Sequence, residues 1–282
     1  MNPDHPAGVP DPQELARTAV GVARAAAELV RGRAARGVTV ADTKTSETDV
    51  VTEADRASEE LIRSLLRERR PDDAFVGEEG EDVAGTSGVR WIVDPIDGTV
   101  NFLYGLPQYA VSIAAEVDGE VVAGVVLNAA TGTEYVAHLT AGGPGVVTRD
   151  GDPIQVRGPA PLSQRLVGTG FSYDAGLREL QARAMVRLLP RVRDLRRLGS
   201  SALDLCCVAE GTMDAYVEEG VHVWDYAAGA LVARVAGART EVTAGVGGRD
   251  LMVCAPGHGF EEFRNAVREA GLLAGGPALA GE

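Results

Sequence analysis

The chain has 282 residues, 45% hydrophobic and 24% charged, with 27 basic side chains against 41 acidic ones and a formal net charge of −14. This composition excludes collagen-like, coiled-coil and largely disordered chains and leaves ample length for a buried core, while the acidity argues against a nucleic-acid partner held through its phosphates. No apolar run reaches 18 residues, so no membrane-spanning helix is expected; the three cysteines (Cys206, Cys207, Cys254) show no paired spacing and read as reduced thiols of a cytoplasmic protein.

Residues 1–13 carry four prolines and no apolar block, which predicts a disordered tail and not a signal peptide. A helix is expected over 14–36, between Pro12 and Gly37, with Leu15, Val20, Ala23, Ala26, Leu29 and Val30 inward. After a polar stretch, 41–49, a second helix is expected over 52–69 with Ala54, Ala57, Leu61, Ile62 and Leu65 inward, ended by Pro71. Short apolar runs at 75–76, 91–93, 110–117, 121–127, 134–138 and 145–148 read as strands, and Asp118-Gly119 is a hairpin signal. The second half predicts strands at 165–169, 195–198, 214–217 and 252–255, and helices at 177–188, 200–210, 225–236 and 259–270. Ser200 is a candidate N-cap, and Gly211 and Gly237 are candidate C-caps. Helices and sheets in alternation give an α/β or α+β class. Residues 14–270 read as one domain with halves at about 14–157 and 158–270, followed by a flexible Gly-rich tail, 271–282.

The segment with most chemistry in it is Asp94-Pro95-Ile96-Asp97-Gly98-Thr99, which follows the apolar run Trp91-Ile92-Val93. Pro95 donates no ladder hydrogen bond, so the strand is expected to end at Asp94 and the chain to turn. Two carboxylates three residues apart on such a turn can converge, Gly98 permits close approach, and the amides of Gly98 and Thr99 at a helix start suit an anion. Paired carboxylates repel unless a cation lies between them, and Mg²⁺ takes oxygen ligands. A plain surface turn has the same composition. Three further acidic positions each have an ordinary reading beside the functional one. Glu78 and Glu79 could be a solvated loop, Asp225 after Trp224 a simple N-cap, and Asp55 after Asp49-Val50-Val51-Thr52-Glu53-Ala54 a surface helix residue.

Together these pieces resemble the inositol monophosphatase family, in order and separation, over roughly residues 14–270. The segments that carry the resemblance are Asp49 to Asp55, Gly77-Glu78-Glu79, Asp94 to Thr99, and Trp224-Asp225-Tyr226-Ala227-Ala228-Gly229. The resemblance implies a layered αβαβα sandwich, a homodimer, two or three Mg²⁺ ions (Mn²⁺ a possible substitute) and inhibition by Li⁺. It implies that Glu78, Asp94 and the Ile96 carbonyl hold one ion, that Asp94, Asp97 and Asp225 hold a second, and that Asp55 stands near a third. It casts Glu78 and Thr99 as the groups that orient or deprotonate the attacking water, and Gly98 and Thr99 as phosphate-binding amides. Gly199, Ser200, Ser201 and Glu218 match the sugar-facing positions, and Lys44, the chain's one lysine, matches a basic residue at the site mouth. Two departures stand out: Val100 where a threonine is common, and Ser201 in place of an alanine that faces the sugar. The reaction implied is hydrolysis of a small phosphate monoester such as inositol monophosphate. Sister phosphatases acting on histidinol phosphate, fructose 1,6-bisphosphate or a 3′-phosphoadenosine nucleotide remain open, with Arg191, Arg193, Arg196 and Arg197 available for a second phosphate, as does a non-enzymatic regulator. A simple cation buffer would leave Gly98-Thr99 unexplained.

Overall fold

The computed structural model describes residues 10–36, 40–43 and 50–276. Helix α1 (Pro12–Ala34) starts where Asp11 accepts a hydrogen bond from the Gln13 amide at 3.0 Å and Pro12 takes the first turn, where no amide is needed. Strands β1 (Val40–Thr43) and β2 (Val50–Thr52) form an antiparallel ribbon where only a polar stretch was expected. Thr52 and Asp55 cap helix α2 (Glu53–Arg69) reciprocally. There follow β3 (Ala74–Gly77), β4 (Val89–Asp97), the short α3 (Thr99–Tyr104), β5 (Ala110–Val117), β6 (Glu120–Asn128), β7 (Glu134–Thr140), β8 (Gly143–Arg149) and β9 (Asp152–Pro153). Then come β10 (Leu166–Thr169), α4 (Ala175–Leu188), β11 (Asp194–Arg196), α5 (Ser201–Ala209), β12 (Ala215–Glu219), α6 (Val223–Val235), β13 (Ala238–Ala244), β14 (Asp250–Pro256) and α7 (Phe260–Ala270). The strand β13 has no counterpart among the sequence expectations. Lys44, Asp49, Gly37 and most of the two expected tails lie outside the described residues.

Strands β3 to β9 make a seven-stranded sheet in sequence order, parallel only between β3 and β4. The order β11-β10-β12-β14-β13 makes a five-stranded mixed sheet. Because strand side chains alternate, each sheet offers two faces. Trp91, Val93, Val111 and Ile113 pack under α1 and α2, while Ile92, Ala110, Ala114 and Val126 face α5 and α6. Tyr216, Met252 and Cys254 of the five-stranded sheet meet α5 and α6 from the other side, and Val167, Val217 and Val253 pack against α4 and α7. The result is the expected αβαβα order of layers. Burial of the three cores on this scale is the main stabilising contribution. The middle layer is thin because small residues line it. A Cβ on Gly124 would sit 3.1 Å from Ala228 Cα, and one on Gly229 would sit 2.9 Å from the Ala202 carbonyl. Among the described residues no helix is long and apolar enough to cross a membrane, and all three cysteines are free.

Two expectations need correction. Strand β4 does not stop at Asp94; it runs on through Pro95 to Asp97. The register with β5 moves from Asp94↔Ser112 to Asp97↔Ala110, three positions on one strand against two on the other. That bulge accommodates a proline without a missing ladder bond. The buried face of α2 also differs. Ala57, Leu61 and Leu65 are only partly buried, whereas Asp55, Ser58 and Glu59 are buried. These three polar residues turn inward because each holds part of the site.

Candidate active site

The bulged end of β4 delivers Asp94, Ile96 and Asp97 to a cleft of about 340 Å³, whose walls also carry Glu78, Gly98, Thr99, Gly199, Ser201, Glu218 and Asp225. Gly98 has φ +98°, and a Cβ there would lie 2.8 Å from the Gln108 carbonyl, so backbone packing as well as turn geometry requires glycine. Asp94 Oδ1 accepts the Ile96 amide at 3.0 Å. Burial pushes the Asp94 carboxyl well above the ordinary carboxylate range, and Glu78, Asp97 and Asp225 push it the same way. All four carboxylates therefore feel one another across the cleft.

Asp97 links the two sheets. Its carboxylate accepts Ser200 Oγ at 2.5 Å, the Ser201 amide at 3.3 Å and the Ala202 amide at 2.7 Å, all at the N-terminus of α5. Burial nevertheless pushes its carboxyl up to about 8, with Asp225 adding to the shift. Asp225 sits in the first turn of α6 and accepts the His222 amide at 2.6 Å. The His222 ring stacks on Trp224 with centroids 4.9 Å apart. Ser200 holds Asp97 and does not line the cleft.

Asp55 also lies behind the wall. It accepts the Thr99 hydroxyl at 2.9 Å and the Thr52 amide at 2.9 Å, and is bonded by the Thr52 hydroxyl. The Ile96 carbonyl is 3.1 Å from Thr99 Oγ1. The loop after β3 is fixed by Glu59, which sequence reasoning missed. Its Oε2 accepts the Glu79 amide at 2.7 Å and its Oε1 accepts Arg63 at 3.0 Å. A Cβ on Gly77 would come within 2.5 Å of that carboxylate. Ser58 donates to the Pro95 carbonyl at 3.2 Å and so pins the bulge. Only the period of α2 could have pointed to Ser58 and Glu59, since they share a stripe with Ala54 and Ile62.

On the sugar side, the Tyr216 hydroxyl bridges Ser201 Oγ at 2.7 Å and Glu218 Oε2 at 2.8 Å. Burial pushes Glu218 up to about 7, against the pull of Tyr216 and Arg197. Of the four arginines weighed for a second phosphate, Arg197 alone lines the cleft. Arg191 pairs with Glu269, Arg196 with Asp194, and Arg193 donates to the Gln164 carbonyl. Arg249, Phe171 and Tyr173 line the cleft as well and carried no signal in the sequence.

The donor set is entirely oxygen: four carboxylates and one carbonyl. Among the described residues no three His, Cys, Asp or Glu side chains stand close enough together to hold a metal ion as they are; a hard cation that keeps several waters needs fewer direct protein ligands. Burial first, and repulsion between the acids second, pushes Asp94 and Asp97 upward, and a bound cation would offset both. The residues present therefore fit divalent metal.

A model of the inositol monophosphatase family matches residues 11–268. The inositol-1-monophosphatase SuhB of Mycobacterium tuberculosis is 45% identical over 267 residues, covering 89% of this chain and 92% of its own. A Nus factor SuhB of Pseudomonas aeruginosa is 36% identical over 231 residues, covering 80% and 84%. Among solved structures, Mycobacterium tuberculosis SuhB superposes with TM-score 0.80 at 42% identity, covering 94% of this chain and all of its own. The Thermotoga maritima IMPase superposes with TM-score 0.79 at 28% identity, covering 91% and 98%.

Proposed function

The chain belongs to the inositol monophosphatase family of phosphatases, and from that premise we propose that it hydrolyses a polyol phosphate monoester, inositol monophosphate first among them, with Mg²⁺ as cofactor. The observation that carries this reading is the convergence of Glu78, Asp94, Asp97 and Asp225 with the Ile96 carbonyl and Thr99 on one cleft. Glu78, Asp94 and the Ile96 carbonyl would hold one ion, and Asp94, Asp97 and Asp225 another; Asp55, engaged behind Thr99, would touch a third only through water. When bound, the metal supplies charge neutralisation of the phosphate and a more acidic water.

The chain's own residues do the rest. With its proton on Asp55, the Thr99 hydroxyl presents lone pairs to the attacking water and can accept a proton while passing its own to Asp55. Glu78 orients the same water from the facing loop. The Gly98 and Thr99 amides bind phosphate oxygens. The water oxygen bonds to phosphorus as the bond from phosphorus to the alcohol oxygen breaks, and the alcohol leaves with a proton. Ser201 and Glu218, bridged by Tyr216, accept hydrogen bonds from the polyol hydroxyls, beside Gly199. The same reading covers a single catalytic unit over 14–270, Li⁺ inhibition, a homodimer and a cytoplasmic setting. The complete set of acids and Thr99 favours catalysis over a purely regulatory role.

The test is phosphate release from inositol 1-phosphate in Mg²⁺, with and without Li⁺, beside histidinol phosphate and 3′-phosphoadenosine 5′-phosphate. Mg²⁺-dependent turnover that falls by three orders of magnitude or more in Asp94→Asn is expected. Absence of turnover on every ester would sink the reading.

A further inference from the structure

The cleft is acidic on one side, yet its mouth carries an arginine whose charge is answered only at longer range, by Glu219. Arg249 is exposed and lines the cleft. Among the described residues its guanidinium has no hydrogen-bond or ion-pair partner, in a chain with 41 acids to 27 bases. The other cation in the cleft, Arg197, already faces the carboxylates of Glu218 and Asp204. Arg249 faces Glu219, but Glu219 is 2% exposed and its Oε1 accepts the Gly247 amide at 2.7 Å and the Arg249 amide at 3.2 Å.

That buried carboxylate makes the turn between β13 and β14 rigid. The Gly245 amide donates to the Arg249 carbonyl at 2.8 Å, and the Gly220 amide to the Asp250 carbonyl at 2.8 Å. Gly220 has φ +99°, and even a Cβ there would lie 3.9 Å from Arg249 Cδ, so the arginine stem passes beside Gly220 with room to spare. The main chain of Arg249 is thus held at the rim, and its guanidinium keeps its donors free of hydrogen bonds among the described residues. A guanidinium has five donors and no acceptor, in a planar fork that matches a carboxylate or phosphate. A second anion entering this cleft would otherwise meet Glu78, Asp94, Asp97 and Asp225, with only Arg197, already facing Glu218 and Asp204, to offset them.

We propose that Arg249 forms a second anion subsite at the mouth of the cleft, so that a polyol phosphate bearing another acidic group remote from the scissile phosphate is favoured over the same ester without that group. The assignment rests on the phosphatase reading above and adds a specificity-determining residue to it. The subsite binds the distal group of the substrate and takes no part in bond breaking.

The test compares kcat/KM for fructose 1,6-bisphosphate and fructose 1-phosphate, a pair that differs only in the distal phosphate, with inositol 1-phosphate as the reference substrate. The native enzyme should favour the bisphosphate roughly tenfold or more, the order expected of a charge-assisted hydrogen bond. Arg249→Ala should bring the ratio close to one, and Arg249→Lys should leave it intermediate. If neither fructose ester is turned over, their inhibition constants against inositol 1-phosphate supply the same ratio. A native ratio at or below one, or a ratio unchanged in Arg249→Ala with the melting temperature intact, overturns the Arg249 assignment alone. No turnover of inositol 1-phosphate or either fructose ester by the native enzyme overturns the reading beneath it, and the subsite with it.

Discussion

Stripping divalent cation from the protein with EDTA should lower its melting temperature more at alkaline than at acid pH. Asp97 is 8% exposed, and burial, then Asp225, pushes its carboxyl from 3.8 up to about 8. Its folded value lies above the unfolded one, so this group's contribution is whole below about pH 3.8 and is lost as pH rises toward about 8. Each pH unit in that window costs about 1.4 kcal/mol. Between about pH 5.5 and about pH 7.5 the metal-free fold therefore loses up to roughly 3 kcal/mol through Asp97, an upper bound because neighbouring carboxylates share protons. Burial, Glu78, Asp97 and Asp225 push Asp94 in the same direction. For a chain of this size about 3 kcal/mol moves the midpoint by roughly 5–10 °C. The assay is scanning calorimetry in EDTA and in saturating MgCl₂ at both pH values, with Asp97→Asn beside the native chain. The gain on adding Mg²⁺ should be larger at the higher pH, and the variant should flatten that difference. An equal gain at both pH values, or melting indifferent to metal, would refute the reasoning.

Two substitutions test the supports behind the cleft. Glu59→Ala leaves Arg63 and the Glu79 amide without their carboxylate, which should cost about 2 kcal/mol in stability by chemical denaturation and weaken Mg²⁺ binding measured by calorimetry. Thr99→Val deletes the hydroxyl that donates to Asp55, while Thr99→Ser keeps it. Turnover should fall by about 10² or more in the valine variant and stay within roughly tenfold in the serine variant, as measured by phosphate release.

What the sequence told of the site was the part that is local. Asp94, Ile96, Asp97, Gly98 and Thr99 fall within six residues. The start of α5 was readable too, because a cap is short-range: Ser200 bonds an amide three residues on. The strand end at Asp94 was misplaced because proline stops a regular ladder, and the bulge that tolerates it is set by β5. Glu59 and Arg249 were invisible for another reason. Each acts through a loop brought near by tertiary packing, Glu59 on an amide 20 positions away and Arg249 at the tip of a hairpin whose first strand, β13, has too weak an alternation to announce itself. Polar residues on the inner stripe of α2 likewise defeated a rule that places only apolar side chains inside.

The bond between Asp97 and α5 has a consequence for how the protein is made. Its three donors come from residues 103, 104 and 105 positions further along the chain. Asp225 arrives later still, on the helix inserted between the two sheets. A growing chain that has completed the seven-stranded sheet already displays Glu78, Asp94 and Asp97, yet nothing orients Asp97 and the last acid has not been synthesised. On the metal-binding role proposed for these acids, cation capture by the full set would wait for the second sheet to dock, and metal affinity would report whether assembly has finished.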